Sequence, residues 1–171
     1  MGFEFKHLLD NSFSNDSKVW IYQSNRLLTI NEALETEELL KNFTGQWLSH
    51  GSKVKGAGYL FFGQFIILMA DEKATGISGC STDSSVRLIK EIEKRSGINL
   101  FDRNSLAFIV KDKLEILPFS QLQYAFDNGF ITGETLYFNN LVQTKEELEN
   151  GWIIPVKQSW LSSRIKLKVE N

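Results

Sequence analysis

A single cysteine excludes an intramolecular disulfide, and with it a disulfide-stapled scaffold. An excess of one charge is lacking as well. Lys plus Arg number 19 and Asp plus Glu 21, a net charge of −2. That excludes the strongly basic balance of a dedicated nucleic-acid binder and the high net charge of a disordered chain. Long apolar runs are missing: the longest, Tyr59 to Ala70, has 12 residues and is broken by Gly63 and Gln64. A membrane helix needs about 20. Met1 to Ser14 mixes Glu4, Lys6, His7 and Asp10 with apolar side chains, so no signal-peptide core is expected. Only His7, His50 and Cys80 could act as soft metal ligands, too few for a tetrahedral zinc set. The expectation is a cytoplasmic, reduced protein with no cofactor, no metal, and neither a membrane nor a nucleic acid as partner.

What is present is an ordinary globular composition, 42% apolar and 23% charged over 171 residues. A single α+β domain over 18–171 is expected, preceded by a loosely held arm over 1–17. Lys18 to Gln23 is rich in β-branched and aromatic residues, a strand signature. From Thr29 to Gly51 the period changes: Ala33, Leu40, Phe43 and Trp47 recur at helical spacing. Thr29 or Asn31 can cap that helix, and Gly51 suits its far end, which places His50 in the last turn. Gly45 is a weak spot inside it. Val54 to Asp71 reads as a hairpin turning at Gly63-Gln64 in type II′ geometry.

A small-residue loop over 75–85 then leads into a second helix with the stripe Val86, Ile89 and Ile92, ended by Gly97. Ser105 to Val110 and Leu114 to Leu117 read as strands about a turn at Lys111-Asp112-Lys113. Ser120 to Asn128 and the segment after Thr144 read as short helices, the latter started by the capping box Thr144 to Glu147. Trp152 to Val156 suits an edge because of Pro155. Arg164 to Val169 alternates as an edge strand guarded by Lys.

The order to residue 110 is β-α-β-β-α-β, that of a ferredoxin-like split β-α-β plait. The plait is expected over 18–117, with a C-terminal α/β extension over 118–171. The doubly apolar strand Phe65 to Ala70 needs cover on both faces, and the extension is expected to cover the face that the helices leave open. Ile21, Phe43, Trp47, Ile67, Val86 and Ile89 are expected to pack between the sheet and the helices.

Several chemical motifs fail on inspection. No Gly is followed by Lys, so there is no Walker A loop. Gly56-Ala57-Gly58 begins a dinucleotide pattern but meets Phe61 where Gly is required. Gly76-Ile77-Ser78-Gly79 begins a nucleophile elbow but meets Cys80. Cys80 and Arg87 are one residue too far apart for a thiol phosphatase loop, and Val86 occupies the Arg position.

The loop over 76–85 survives. Amides at the start of a helix attract anions and lower a thiol pKa. Ser78, Gly79, Ser81, Thr82 and Ser84 are the candidate ligand-binding residues, and Asp83 is the expected cap. If plait topology holds, the end of the first helix and the start of the second meet at one edge. His50, Cys80 and Asp83 would then be neighbours, with His50 as base and Cys80 as nucleophile or redox centre. The plainer account of Cys80 is a small buried residue in a Ser-rich cap.

Trp47-Leu48-Ser49-His50-Gly51, Ser78-Gly79-Cys80-Ser81-Thr82-Asp83-Ser84-Ser85-Val86 and Phe101-Asp102-Arg103 resemble a family of uncharacterised bacterial proteins, sometimes labelled ABC transporter ATPases. The resemblance runs from about residue 18 to 120. The label implies ATP hydrolysis; without a Walker A loop, neither binding nor hydrolysis of magnesium-ATP is expected. The residues favour a binding domain that recognises a small anion or a protein partner near 76–85. The alternatives are a cysteine-dependent enzyme or redox sensor using Cys80 with His50, and a homodimer joined through an open sheet face or strand edge.

Overall fold

The computed structural model describes residues 2–73 and 79–166, and all their side chains except those of Cys80 and Ser81. The elements follow in the order β1 (Lys18–Gln23), α1 (Ile30–Gln46), β2 (Leu48–Ser49), β3 (Ser52–Lys53), β4 (Lys55–Phe61), β5 (Phe65–Asp71), α2 (Gly79–Ser96), β6 (Ser105–Val110), β7 (Lys113–Pro118), α3 (Leu122–Asp127), β8 (Leu136–Phe138), α4 (Lys145–Gly151) and β9 (Ile153–Pro155), with short 3-10 turns between some of them. Every strand pairing among the described residues is antiparallel, so the class is α+β. The chain divides into two compact units, one of Phe3–Asp102 with Gln143–Glu149, the other of Arg103–Val142 with the described residues from Asn150 on.

In the first unit the sheet order is β1-β5-β4. That is the arrangement of the first three strands of a split β-α-β plait. The expected fourth strand, Ser105–Val110, does not join it: it pairs with β7 and β8 in the sheet of the other unit. Tyr22, Ile66 and Leu68 on one sheet face pack with Leu40, Leu88, Ile89 and Ile92 of the helices. Helix α1 starts at a reciprocal capping box between Thr29 and Glu32. It ends at Gln46, not Gly51. Trp47 turns extended, buries its ring against Val54 and Ala70, and accepts the Val54 N–H through its carbonyl at 2.9 Å. These contacts replace a further helical turn. His50 and Gly51, with φ of 49° and 79°, then form a two-residue turn of type I′ between β2 and β3.

Register places Ile21, Ile67 and Tyr59 together on the opposite sheet face, so Ile21 and Ile67 leave the expected helix-side core. The N-terminal segment belongs to this face. Its Phe5, Leu9 and Phe13 are each only 4% exposed, Phe5 packs on Phe61 at 5.7 Å between centroids, and the Asp10 N–H donates to the Tyr59 hydroxyl at 3.1 Å. The Lys145 ammonium, itself buried, donates to the Phe13 carbonyl at 3.1 Å. Residues 3–17 are therefore packed, where a loose arm was expected, and they supply the cover assigned to the C-terminal extension. The β4–β5 turn also shifts by one residue: Phe62 and Gly63 carry the positive φ values, 56° and 64°, and Gln64 N–H closes on the Phe61 carbonyl.

The second unit is a sheet of order β7-β6-β8-β9 with Pro155 in an edge strand, as the sequence suggests. Lys111 and Asp112, with φ of 51° and 62°, make the β6–β7 turn. Phe108, Tyr137, Leu122, Ile131 and Leu161 form its core. Arg164 to Lys166 is not a strand; the Lys166 backbone bonds instead to the Gln123 amide. The rest of that expected strand lies outside the described residues.

Candidate functional site

Helix α2 begins at Gly79, so Gly79, Cys80, Ser81, Thr82, Asp83 and Ser84 are helical, where a loop was expected up to residue 85. Ser85 Oγ donates to the Thr82 carbonyl at 2.6 Å, a bond within the first turns. Asp83 is the fifth helical residue and exposed, so it is not the cap. Thr82 and Ser84 are half-buried. Ser78 lies outside the described residues, as do the side chains of Cys80 and Ser81. His50 is exposed at the tip of the β2–β3 turn and not in a helix.

The backbone nonetheless relates these segments. Arg95 near the end of α2 pairs with Glu35 near the start of α1 at 2.8 Å. Arg26, just ahead of α1, donates to the carbonyl of Ser96 at 2.7 Å. The two helices therefore run antiparallel, and α2 contacts β2. Ser49 in β2 is 2% exposed, and its hydroxyl has no partner among the described residues. Also among the described residues, no group of three or more His, Cys, Asp and Glu side chains is placed to share a metal ion. None of the helices among them is long and apolar enough to cross a membrane.

A second feature lies along β4. Leu40 and Trp47 of the α1 region press onto its backbone. A β-carbon at Gly56 would lie 2.6 Å from Trp47 Cε3, and one at Gly58 would lie 3.1 Å from Leu40 Cβ. Glycine at both positions lets the helix approach the strand. Beside the strand a groove of about 520 Å³ is lined by Leu8, Glu37, Lys41, Thr44 and residues 56–61. Burial pushes the Tyr59 phenol in its wall above its ordinary pKa, partly offset by the Asp10 N–H. In the sequence Gly56-Ala57-Gly58 matches only the start of a nucleotide pattern. The signal available was glycine inside an otherwise apolar strand, which marks close backbone approach.

No family model matches the chain, and neither a curated protein nor a solved structure matches it.

Proposed function

We propose that this chain is a non-catalytic binding domain whose ligand is a protein partner. The observation that carries the reading is the open edge of β4 beside the groove lined by α1 and Leu8. Exposed strand edges flanked by a groove are a recurrent way of holding extended peptides. In the same reading the first unit is the three-stranded part of a plait, and the chain is a cytoplasmic member of the bacterial family resembled at Trp47–Gly51 and Ser78–Val86. A small anion at the start of α2 is the other ligand class. Its support is the helix terminus itself and the unpartnered Ser49 hydroxyl in a strand that contacts α2.

The second reading is a cysteine-dependent enzyme or redox sensor in which Cys80 acts with His50 and Asp83. It is favoured by the place of Cys80 in the first turn of α2 and by the contact of that helix with β2, next to His50. Selection of a random decapeptide library against the full chain tests the binding reading, with amide chemical shifts followed in parallel during titration with inorganic phosphate. Enriched peptides that shift the amides of residues 56–60 are the expected result. No enrichment and no phosphate-induced shift would overturn it.

A further inference from the structure

Strand β4 is the last strand of its sheet, and its hydrogen bonding can be followed along the register. Ser24 N–H donates to the Gln64 carbonyl at 2.8 Å. That bond fixes the alternation. Ile66, Leu68 and Ala70 exchange bonds with β1, while Phe65, Ile67, Met69 and Asp71 exchange them with β4. The N–H and C=O groups of Gly56, Gly58 and Leu60 therefore point out of the sheet. Two further bonds obey the same alternation: Val19 N–H reaches the Gln143 carbonyl at 3.0 Å beyond β1, and Val54 N–H reaches the Trp47 carbonyl at 2.9 Å ahead of β4. Among the described residues, β5 is the one strand paired with β4.

A second copy of this chain is a poor occupant of that edge. Helix α1 lies on β4 itself, with Leu40 at Gly58 and Trp47 at Gly56. Strands pair about 4.8 Å apart, whereas packed helices need about 8–10 Å between axes. Two copies joined edge to edge would bring their α1 helices too close. An extended segment without a flanking helix meets no such conflict.

The walls of the groove say what that segment carries. Glu37 and Lys41 of α1 are exposed, and the ion pairs among the described residues involve neither. They stand one helical turn apart, about 6 Å. Alternate residues of a strand are about 6.8 Å apart on one face, a close match. The opposite wall offers Leu8, 53% exposed, beside Tyr59. Because Leu40 stands at Gly58 and Trp47 at Gly56, α1 runs antiparallel to β4. A strand added antiparallel to β4 therefore runs parallel to α1 and meets Glu37 before Lys41.

We infer that the β4 edge takes an extended segment of another protein bearing a basic, an apolar and an acidic residue in that order. The inference rests on the binding-domain reading. The basic residue lies opposite Leu60 and meets Glu37; the acidic residue lies opposite Gly58 and meets Lys41. The apolar residue between them projects to the other face, onto Leu8 and Tyr59. The backbone of the segment exchanges hydrogen bonds with Gly58 and Leu60.

Fluorescence anisotropy with the full chain and labelled nonapeptides tests this. The probe is Ser-Thr-Val-Lys-Val-Glu-Val-Thr-Ser; the comparison peptide has Lys and Glu exchanged. The first should bind at least about tenfold more tightly, equivalent to ~1.4 kcal/mol. The preference should shrink as salt rises. The variant E37K/K41E, changed only at exposed positions, should invert the preference. N-methylation of the Glu amide of the probe, which removes the bond to the Gly58 carbonyl, should weaken binding about tenfold. Equal binding of the two peptides, no inversion in E37K/K41E, indifference to N-methylation, or no binding of either peptide would overturn the inference. If library selection meanwhile yields peptides without this charge order, the binding-domain reading stands and this inference alone falls.

Discussion

Leu40 stands over Gly58, so close that a β-carbon on the glycine would sit 3.1 Å from Leu40 Cβ. At Gly56 the residue that follows the helix, Trp47, brings its ring to 2.6 Å from such a carbon. Alanine in a strand gains up to about 1 kcal/mol over glycine through the unfolded chain. Overpacking costs about 1–3 kcal/mol. At Gly56 the clash is with a buried indole, so Gly56→Ala should be destabilising by about 1–3 kcal/mol in urea unfolding. Gly58→Ala should cost less, because the approach there is looser, 3.1 Å against 2.6 Å, and α1 has to shift by only a few tenths of an ångström. Gly45 in α1 has nothing within 4 Å of its β-carbon site, and Gly45→Ala should stabilise by about 0.5–1 kcal/mol. Equal effects at Gly56 and Gly45 would show that α1 does not press on β4.

The N-terminal segment gives a second contrast. Phe5 and Phe13 are each 4% exposed, whereas Phe43 on α1 is only half-buried beside Trp47. Phe5→Ala and Phe13→Ala should each cost about 3–5 kcal/mol in the same unfolding measurement. Phe43→Ala should cost less. Losses within about 0.5 kcal/mol at Phe5 and Phe13 would restore the picture of a loosely held arm.

These residues also mark where the sequence was legible. Local signals were sound. The β1 bounds, Thr29 as one of two candidate caps, the end of α2 at Gly97 and the turn at Lys111-Asp112 follow from propensity and turn chemistry. Periodicity does not tell which face of a doubly apolar strand meets which neighbour, so it cannot separate Ile21 and Ile67 from the helix-side residues. Nor could it show that Ser105–Val110 would pair with β7 and β8 instead of β1, since that choice depends on contacts distant in sequence. At Gly51 the glycine signal was right and its use differed: positive φ serves a hairpin turn instead of a helix end. Of the site, composition marks the segment after Ser78 but does not show that it is helical. The groove along β4 stayed hidden, because free backbone groups at a sheet edge leave no mark on side-chain chemistry.

Acid should act through Glu32. Its carboxylate takes two bonds from Arg26, at 2.8 and 2.9 Å, and one from the Thr29 N–H at 2.8 Å. The Arg26 guanidinium first, and the Thr29 N–H next, hold its pKa down to about 2. In the unfolded chain the value is about 4.3. The folded value is the lower one, so this contribution is complete above ~4.3 and is lost as pH falls through about 2. Urea midpoints measured between pH 7 and pH 2 should fall across that window. Asp10 and Asp16 are also held low, so the readout is the difference from Glu32→Gln, whose curve should be flatter between those pH values. Parallel curves for the two proteins would contradict the role of the Arg26–Glu32 pair.

Alkali should act through Tyr137. Burial pushes its phenol up to about 12, and the bond from the Trp160 indole N–H at 3.2 Å opposes that shift without cancelling it. The unfolded value is about 10. A raised acid pKa means the fold favours the protonated form, so stability is complete below ~10 and is lost as pH rises through about 12. Phenolate absorbance should show a phase near pH 12 that belongs to Tyr137. Tyr137→Phe should remove that phase. A titration curve unchanged in Tyr137→Phe would refute the assignment.

Cys80 separates the two functional readings. It is the second residue of α2, in the first turn, where backbone N–H groups lack helical partners. Such a place lowers a thiol pKa without help from any base. His50 is exposed at the tip of the neighbouring hairpin. On the binding reading the pH midpoint of iodoacetamide alkylation is set by the helix, so it should be the same in the wild type and in His50→Ala. The catalytic reading demands a midpoint well below the ordinary ~8.5 that climbs back towards that value in His50→Ala. Asp83→Asn extends the comparison, since a carboxylate three residues along the helix opposes thiolate formation. The alkylation midpoint should fall in Asp83→Asn whether or not His50 is present. A rise of about one pH unit in His50→Ala, about 1.4 kcal/mol of lost thiolate stabilisation, would displace the binding reading in favour of Cys80 chemistry.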